Sequence, residues 1–145
     1  MFEKILVATD GSKHSEKAAR VGIEVARLSG GKITAIYVAD TSKMSHLPDD
    51  MLLFSIRDLL MKEGNEATAE VEAISRDAGV PVDKFVAEGS PADEILDYAK
   101  KNGMDLIIIG SVGRTGLDKF LLGSVAEKVV RNSSVPVFTV PGSAT

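Results

Sequence analysis

Apolar and polar positions alternate along the chain between short unbroken apolar runs and longer stretches with helical spacing. Ile5 to Ala8 is an apolar run that stops at Thr9-Asp10-Gly11-Ser12; it is too short for a helix and predicts a buried strand. From Ser12 to Ser29, Ala18, Gly22, Val25 and Ala26 fall on one helical face, with Ser12 placed to cap the start and Gly30-Gly31 the end. Ile33 to Ala39, rich in β-branched residues, predicts a second strand. A polar stretch, Asp40 to Asp50, leads into a long helical pattern. There Leu52, Ile56, Leu59, Leu60, Ala67, Val71, Ile74 and Ala78 make one broad stripe, closed by Gly79-Val80-Pro81.

Val82 to Ala87 predicts a third strand, although it carries Asp83 and Lys84. Glu88-Gly89-Ser90-Pro91 then turns into a helix from Ala92 to Asn102, where Ser90 can cap, Pro91 suits the first turn and Asp93 completes a capping box. Leu106 to Ile109 is the most apolar run of all, which places it at the centre of a sheet covered on both faces. Gly110 to Gly123 reads as a glycine-studded loop, Ser124 to Arg131 as a short helix and Val135 to Val140 as a last strand. Strands alternating with helices imply right-handed crossovers and a five-stranded parallel sheet. Ligands of such sheets bind beyond the carboxyl ends of the strands, where the strand order reverses.

The 145 residues suit one domain, 1–145. The absence of cysteine excludes a disulfide framework, a thiolate metal site and a cysteine nucleophile, and the two histidines are far apart. A net charge of -4 has the wrong sign for a nucleic-acid or anionic-lipid partner, so any phosphate-bearing ligand has to be held locally. No run approaches the roughly 18 apolar residues of a membrane span, and MFEKILVATDGS lacks the pattern of a signal peptide, so the expected location is cytoplasmic.

Three strand ends can carry a site: Asp10, Tyr37 to Asp40, and Gly110 onward. The third is the richest. Gly110, Gly113, Gly123 and Ser124 have the spacing G-x2-G-x9-G-S. Glycines let backbone amides approach an anion, and a helix beginning at Ser124 adds unpaired N–H groups and the positive end of its dipole. Arg114 and Lys119, within the loop, can neutralise phosphate charge. The pattern is neither a Walker A loop nor a G-x-G-x-x-G dinucleotide site. Asp10, before Gly11, reads either as a turn residue or as a carboxylate sharing Mg²⁺ with phosphate oxygens.

From Lys4 to Val140 the chain resembles the ATP-binding branch of the universal stress proteins. The resemblance rests on KILVATDGS, AIYVAD, GSPADEI and DLIIIGSVGRTGLDKFLLGSVAEKVVRNSSVPVFTV. It implies a Rossmann-like fold of the adenine nucleotide α-hydrolase type, with helices on both faces of a sheet ordered 3-2-1-4-5. It also implies ATP, AMP or another adenine nucleotide as ligand, with Mg²⁺ or Mn²⁺ accompanying the phosphates. Gly110, Gly113, Gly123, Ser124 and Val125 would then surround the triphosphate, and Asp10 would lie near ribose and phosphates through the metal ion. Ala8, where many relatives carry proline, and Thr9 would line the adenine side. Val38 would meet the adenine edge with main-chain groups, and Ile109 would flank the ribose.

Other polar residues have simpler readings. His14 and His46 are expected to be solvent-exposed, Ser133-Ser134 to form a turn, and Glu63, Glu66, Glu70 and Glu72 to form a solvated face. Met44, Met51, Leu53, Phe54 and Met61 add apolar surface outside the main stripe and either thicken the core, face an unidentified partner protein or cover the pocket. The strand VPVFTV is an expected edge, since Pro136 cannot donate a ladder bond, and universal stress proteins commonly form homodimers through this strand. The resulting expectation is a nucleotide-dependent signalling or stress-response module. The alternative is a slow ATP-hydrolysing or nucleotidyl-transferring enzyme, which would need a positioned base that the sequence does not supply.

Overall fold

The apolar runs do become inner strands. The computed structural model describes residues 1–42, 44, 50–112 and 123–142. Its elements are β1 (Lys4–Ala8), α1 (Lys13–Ser29), β2 (Lys32–Asp40), α2 (Asp50–Asp77), β3 (Val82–Gly89), α3 (Pro91–Lys101), β4 (Leu106–Gly110), α4 (Ser124–Asn132) and β5 (Val137–Val140). The five strands form one parallel sheet in the order β3-β2-β1-β4-β5, the expected order. The middle position belongs to β1, with β4 between it and β5, which corrects the expectation that the most apolar run lies at the centre. Both runs are sealed nonetheless: Ile5, Leu6, Val7 and Leu106 to Ile108 are 0% exposed. Each such side chain contributes about 1.5–3 kcal/mol relative to exposure.

Strand alternation divides the core. Ile5 and Val7 pack with Ala18, Ala19 and Ile23 of α1 and Val71 of α2 on one face. Leu6 and Ala8 pack with Ala92, Ile95 and Ala99 of α3 and Ala126 and Val129 of α4 on the other. Helix α1 starts where expected, the Ser12 hydroxyl accepting from the Ser15 amide at 3.2 Å, and it ends on Gly30 at φ 72°. The Ser90 cap and capping box do not form: no side chain caps α3. The Asp93 carboxylate instead pairs with Lys128 at 3.0 Å, tying α3 to α4.

Helix α2 departs most from its predicted stripe. Its buried residues begin only at Gly64 and continue through Ala67, Thr68, Val71 and Ser75. Leu52 and Leu59 are 46% and 69% exposed, and Ala78 lies past the helix end. Gly64 rests on Tyr37 and Val86. From there Asp50 to Glu63 run about 21 Å toward the carboxyl ends of the strands, whereas β2 continues past Tyr37 by only about 10 Å. The first half of α2 therefore overhangs the sheet, and Met51 and Phe54 are 79% and 67% exposed. Nor is the acidic face wholly solvated. Tyr37 donates its hydroxyl to Glu63 at 2.9 Å, and Glu72 bonds Lys84 and Arg76, partners that hold its carboxyl below the usual range.

Strand β5 is shorter than predicted. Val135 is engaged in a turn in which Ser133 Oγ accepts from its amide and donates to its carbonyl, and Pro136 supplies only a carbonyl, which accepts from the Ile107 amide at 3.0 Å. β5 forms one edge of the sheet, and the ring of Phe138 meets Phe2 edge-on at 5.8 Å. Among the described residues no helix is long and apolar enough to cross a membrane.

Candidate functional site

The chain leaves β1 toward β2 on one side and reaches β4 on the other, so the strand order reverses between β1 and β4. A cleft of about 310 Å³ opens there, beyond the carboxyl ends of these strands. Its floor lies on the α3/α4 face. Strand alternation puts Ile36 and Val38 of β2 on that face beside Ala8 and Ile109, and Ile95 of α3 and Ala126 of α4 close it.

The polar groups stand at the rim. The ladder between β1 and β2 ends with the Thr9 amide donating to the Ile36 carbonyl at 2.9 Å. Val38, two residues further on, turns its own N–H and C=O to the same side as Ile36, past the end of β1. These main-chain groups are therefore offered to the cleft. Asp10 lines the cleft, one carboxylate oxygen accepting from the Ser12 amide at 2.9 Å, so the expected turn role is real and is local to that oxygen. A hydroxyl relay braces the turn: the Ser15 hydroxyl donates to the Ser12 carbonyl at 2.9 Å and lies 3.1 Å from Thr9 Oγ1, which accepts from the Gly11 amide at 3.2 Å.

On the opposite wall α4 begins without a side-chain cap, in contrast to α1. The Gly123 carbonyl already accepts from the Glu127 amide at 2.8 Å, and the Gly123 amide donates to the Ser111 carbonyl at 2.5 Å. The amides of the first turn, from Ser124 onward, thus point toward the cleft with the positive end of the helix dipole behind them. Such an arrangement suits an anion.

Of the residues expected from the sequence, Ala8, Thr9, Asp10, Val38, Ile109, Gly110, Gly123, Ser124 and Val125 all line this one cleft. Gly113, Arg114, Lys119 and His46 lie outside the described residues. The sequence reading missed Ser15, Ile36, Pro91, Ile95 and Ala126, and it gave Asp40 and Val112 no role beyond their place at two of the three strand ends. For Ile36 and Asp40 a signal existed, since both share the strand parity of Val38. His14 corrects another expectation: its Nδ1 is buried with no hydrogen-bond partner among the described residues. The ring packs so closely on Gly142 that a Cβ there would lie 2.8 Å from Nδ1. Glu88 is engaged by Arg57 at 2.6 Å, a hydrogen bond that raises the arginine further above its ordinary value. Among the described residues no group of three or more histidine, aspartate or glutamate side chains could hold a metal.

A parallel α/β sheet with its cleft at the switch point defines a Rossmann-like protein. The model of the Universal stress protein family matches residues 1–141, and the chain belongs to that family. Universal stress protein MJ0531 of Methanocaldococcus jannaschii is 41% identical over 97% of this chain and 82% of its own length. YxiE of Bacillus subtilis is 34% identical over 97% and 99%. Among solved structures, that of MJ0577 superimposes with a TM-score of 0.87 at 29% identity, covering 100% of this chain and 99% of its own. A universal stress protein solved in complex with cAMP gives 0.71 at 26% identity, covering 96% and 97%.

Proposed function

We propose that this universal stress protein binds ATP, or AMP or another adenine nucleotide, and acts as a nucleotide-dependent signalling or stress-response module. The observation that carries the reading is the uncapped start of α4 meeting the end of β4 at the switch-point cleft. The apolar floor of Ala8, Ile36, Val38 and Ile109 suits a purine and ribose, and the α4 amides suit phosphates. Gly113 and Arg114 belong to the same proposed site by their place in the G-x2-G-x9-G-S pattern. Asp10 would share Mg²⁺ or Mn²⁺ with phosphate oxygens, since one carboxylate holds such an ion only when phosphate supplies further ligands. A relative with bound cAMP supports the same class of ligand.

The proposed unit is one domain over residues 1–145, cytoplasmic, paired as a homodimer through β5, with no nucleic-acid or membrane partner. Catalysis is no part of the proposal. Asp10, whose one oxygen is held by the Ser12 amide, is the carboxylate placed toward the phosphate side. The test is to denature purified protein and identify released nucleotide by mass spectrometry, and to titrate it with ATP and Mg²⁺ while following the melting temperature. Released adenine nucleotide or a rising Tm is expected. Neither effect at millimolar ligand would refute the proposal, and release of ADP at many turnovers per minute would favour the enzyme reading.

A further inference from the structure

Among the described residues two carboxylates line the cleft, and Asp10 is the one that lies toward the phosphate side. Asp40, the last residue of β2, is the other. Its parity is that of Ile36 and Val38, so its side chain rises from the α3/α4 face of the sheet, the face that forms the cleft floor. The Asp40 Oδ1 accepts from the Ser42 hydroxyl at 2.6 Å and the Ser42 amide at 3.2 Å, which fixes the orientation of the carboxylate. Strand β2 lies two places from β4, with β1 between them. Neighbouring strands are about 4.8 Å apart, so Asp40 stands about 10 Å across the sheet from the end that leads to α4. It is therefore at the base end of a bound nucleotide, next to the open main-chain groups of Val38.

An ionised carboxylate only accepts hydrogen bonds. Beside a base it favours an exocyclic amine and opposes a carbonyl oxygen, whose lone pairs it would face without a proton between them. We infer that Asp40 is a specificity-determining residue that accepts a hydrogen bond from the 6-amino group of the purine and rejects 6-oxo bases such as hypoxanthine. The inference rests on the nucleotide-binding reading above and adds to it the choice of base. The Asx turn with Ser42 is a structural role for the same side chain, and it predicts no dependence on which base is offered.

The test compares affinities of ATP, ITP and 2′-deoxy-ATP, each with Mg²⁺, for the parent protein, Asp40→Ala and Asp40→Asn. The parent is expected to prefer ATP over ITP by about tenfold or more, a charge-assisted bond to a rim residue giving less than a buried one. Asp40→Ala should bring the two within about threefold while leaving the ATP to deoxy-ATP ratio unchanged. Asp40→Asn, which can present either its carbonyl or its amine, should also narrow the preference. An ATP to ITP ratio in Asp40→Ala equal to the parent's would overturn the inference, as would a change confined to the deoxy-ATP ratio, which would assign Asp40 to the sugar. A parent that binds none of the three overturns the nucleotide-binding reading itself, and the base-selection inference falls with it.

Discussion

The Gly123 amide donates to the Ser111 carbonyl at 2.5 Å, joining the end of β4 directly to the start of α4. This bond occupies an amide that the glycine pattern would otherwise have offered to an anion, and it leaves that task to Ser124 and the residues after it. Gly123 itself sits at φ -62° and ψ 155°, extended backbone open to any residue. Its glycine is therefore not required by its dihedral angles.

Gly123→Val separates these roles. The valine backbone can keep both the bond to Ser111 and the acceptor for Glu127, while its side chain enters the approach to the first turn of α4. Nucleotide affinity is expected to fall at least about tenfold with the Tm in the absence of nucleotide lowered by only a few degrees. Thermal-shift titration with ATP and Mg²⁺ measures both quantities in one series. Unchanged affinity would mean that the anion does not approach this turn.

Gly64→Ala sets helix propensity against packing. In an exposed helix the change would stabilise by about 1 kcal/mol. Here a Cβ would lie 2.6 Å from Tyr37 Cδ1 and 2.9 Å from Val86 Cγ1. Tyr37 is only 5% exposed and its hydroxyl is tied to Glu63, so the ring cannot simply swing away. Overpacking of this kind costs about 1–3 kcal/mol. The net expectation is a loss of stability, read as a lower urea midpoint with an unchanged slope; a raised midpoint would show that the α2 overhang shifts freely.

These positions show where sequence reasoning reached and where it stopped. Ile5 to Ala8 and Leu106 to Ile109 were legible because a strand buried on both faces leaves an unbroken apolar run. Gly110, Gly123 and Ser124 were legible because their spacing follows a strand and precedes a helix. Ile95 and Ala126 were not, since their approach to the cleft depends on how α3 and α4 pack across the sheet. Leu59 departs from the predicted stripe because it lies about 100° around the helix from Leu60 and this part of α2 overhangs the sheet, which leaves it exposed. Ser90 carried the right residue type for a cap, yet the Asp93 carboxylate that would complete the box is drawn to Lys128 on another helix.

Pairing of two copies through β5 can be tested on the backbone alone. In the β4–β5 ladder Pro136 and Val140 turn their carbonyls toward β4, accepting from Ile107 and Ser111. By alternation Phe138 faces β4 as well, so the amides of Val137 and Thr139 face the open edge. Val137 packs into the α3/α4 core, and a charged residue there would disturb the fold along with the edge. Thr139 is exposed, and Thr139→Pro removes one outward amide while leaving every bond to β4 in place. The parent is expected to sediment as a dimer and Thr139→Pro as a folded monomer with unaltered circular dichroism. A monomeric parent, or a variant that remains dimeric, would rule out pairing through this edge.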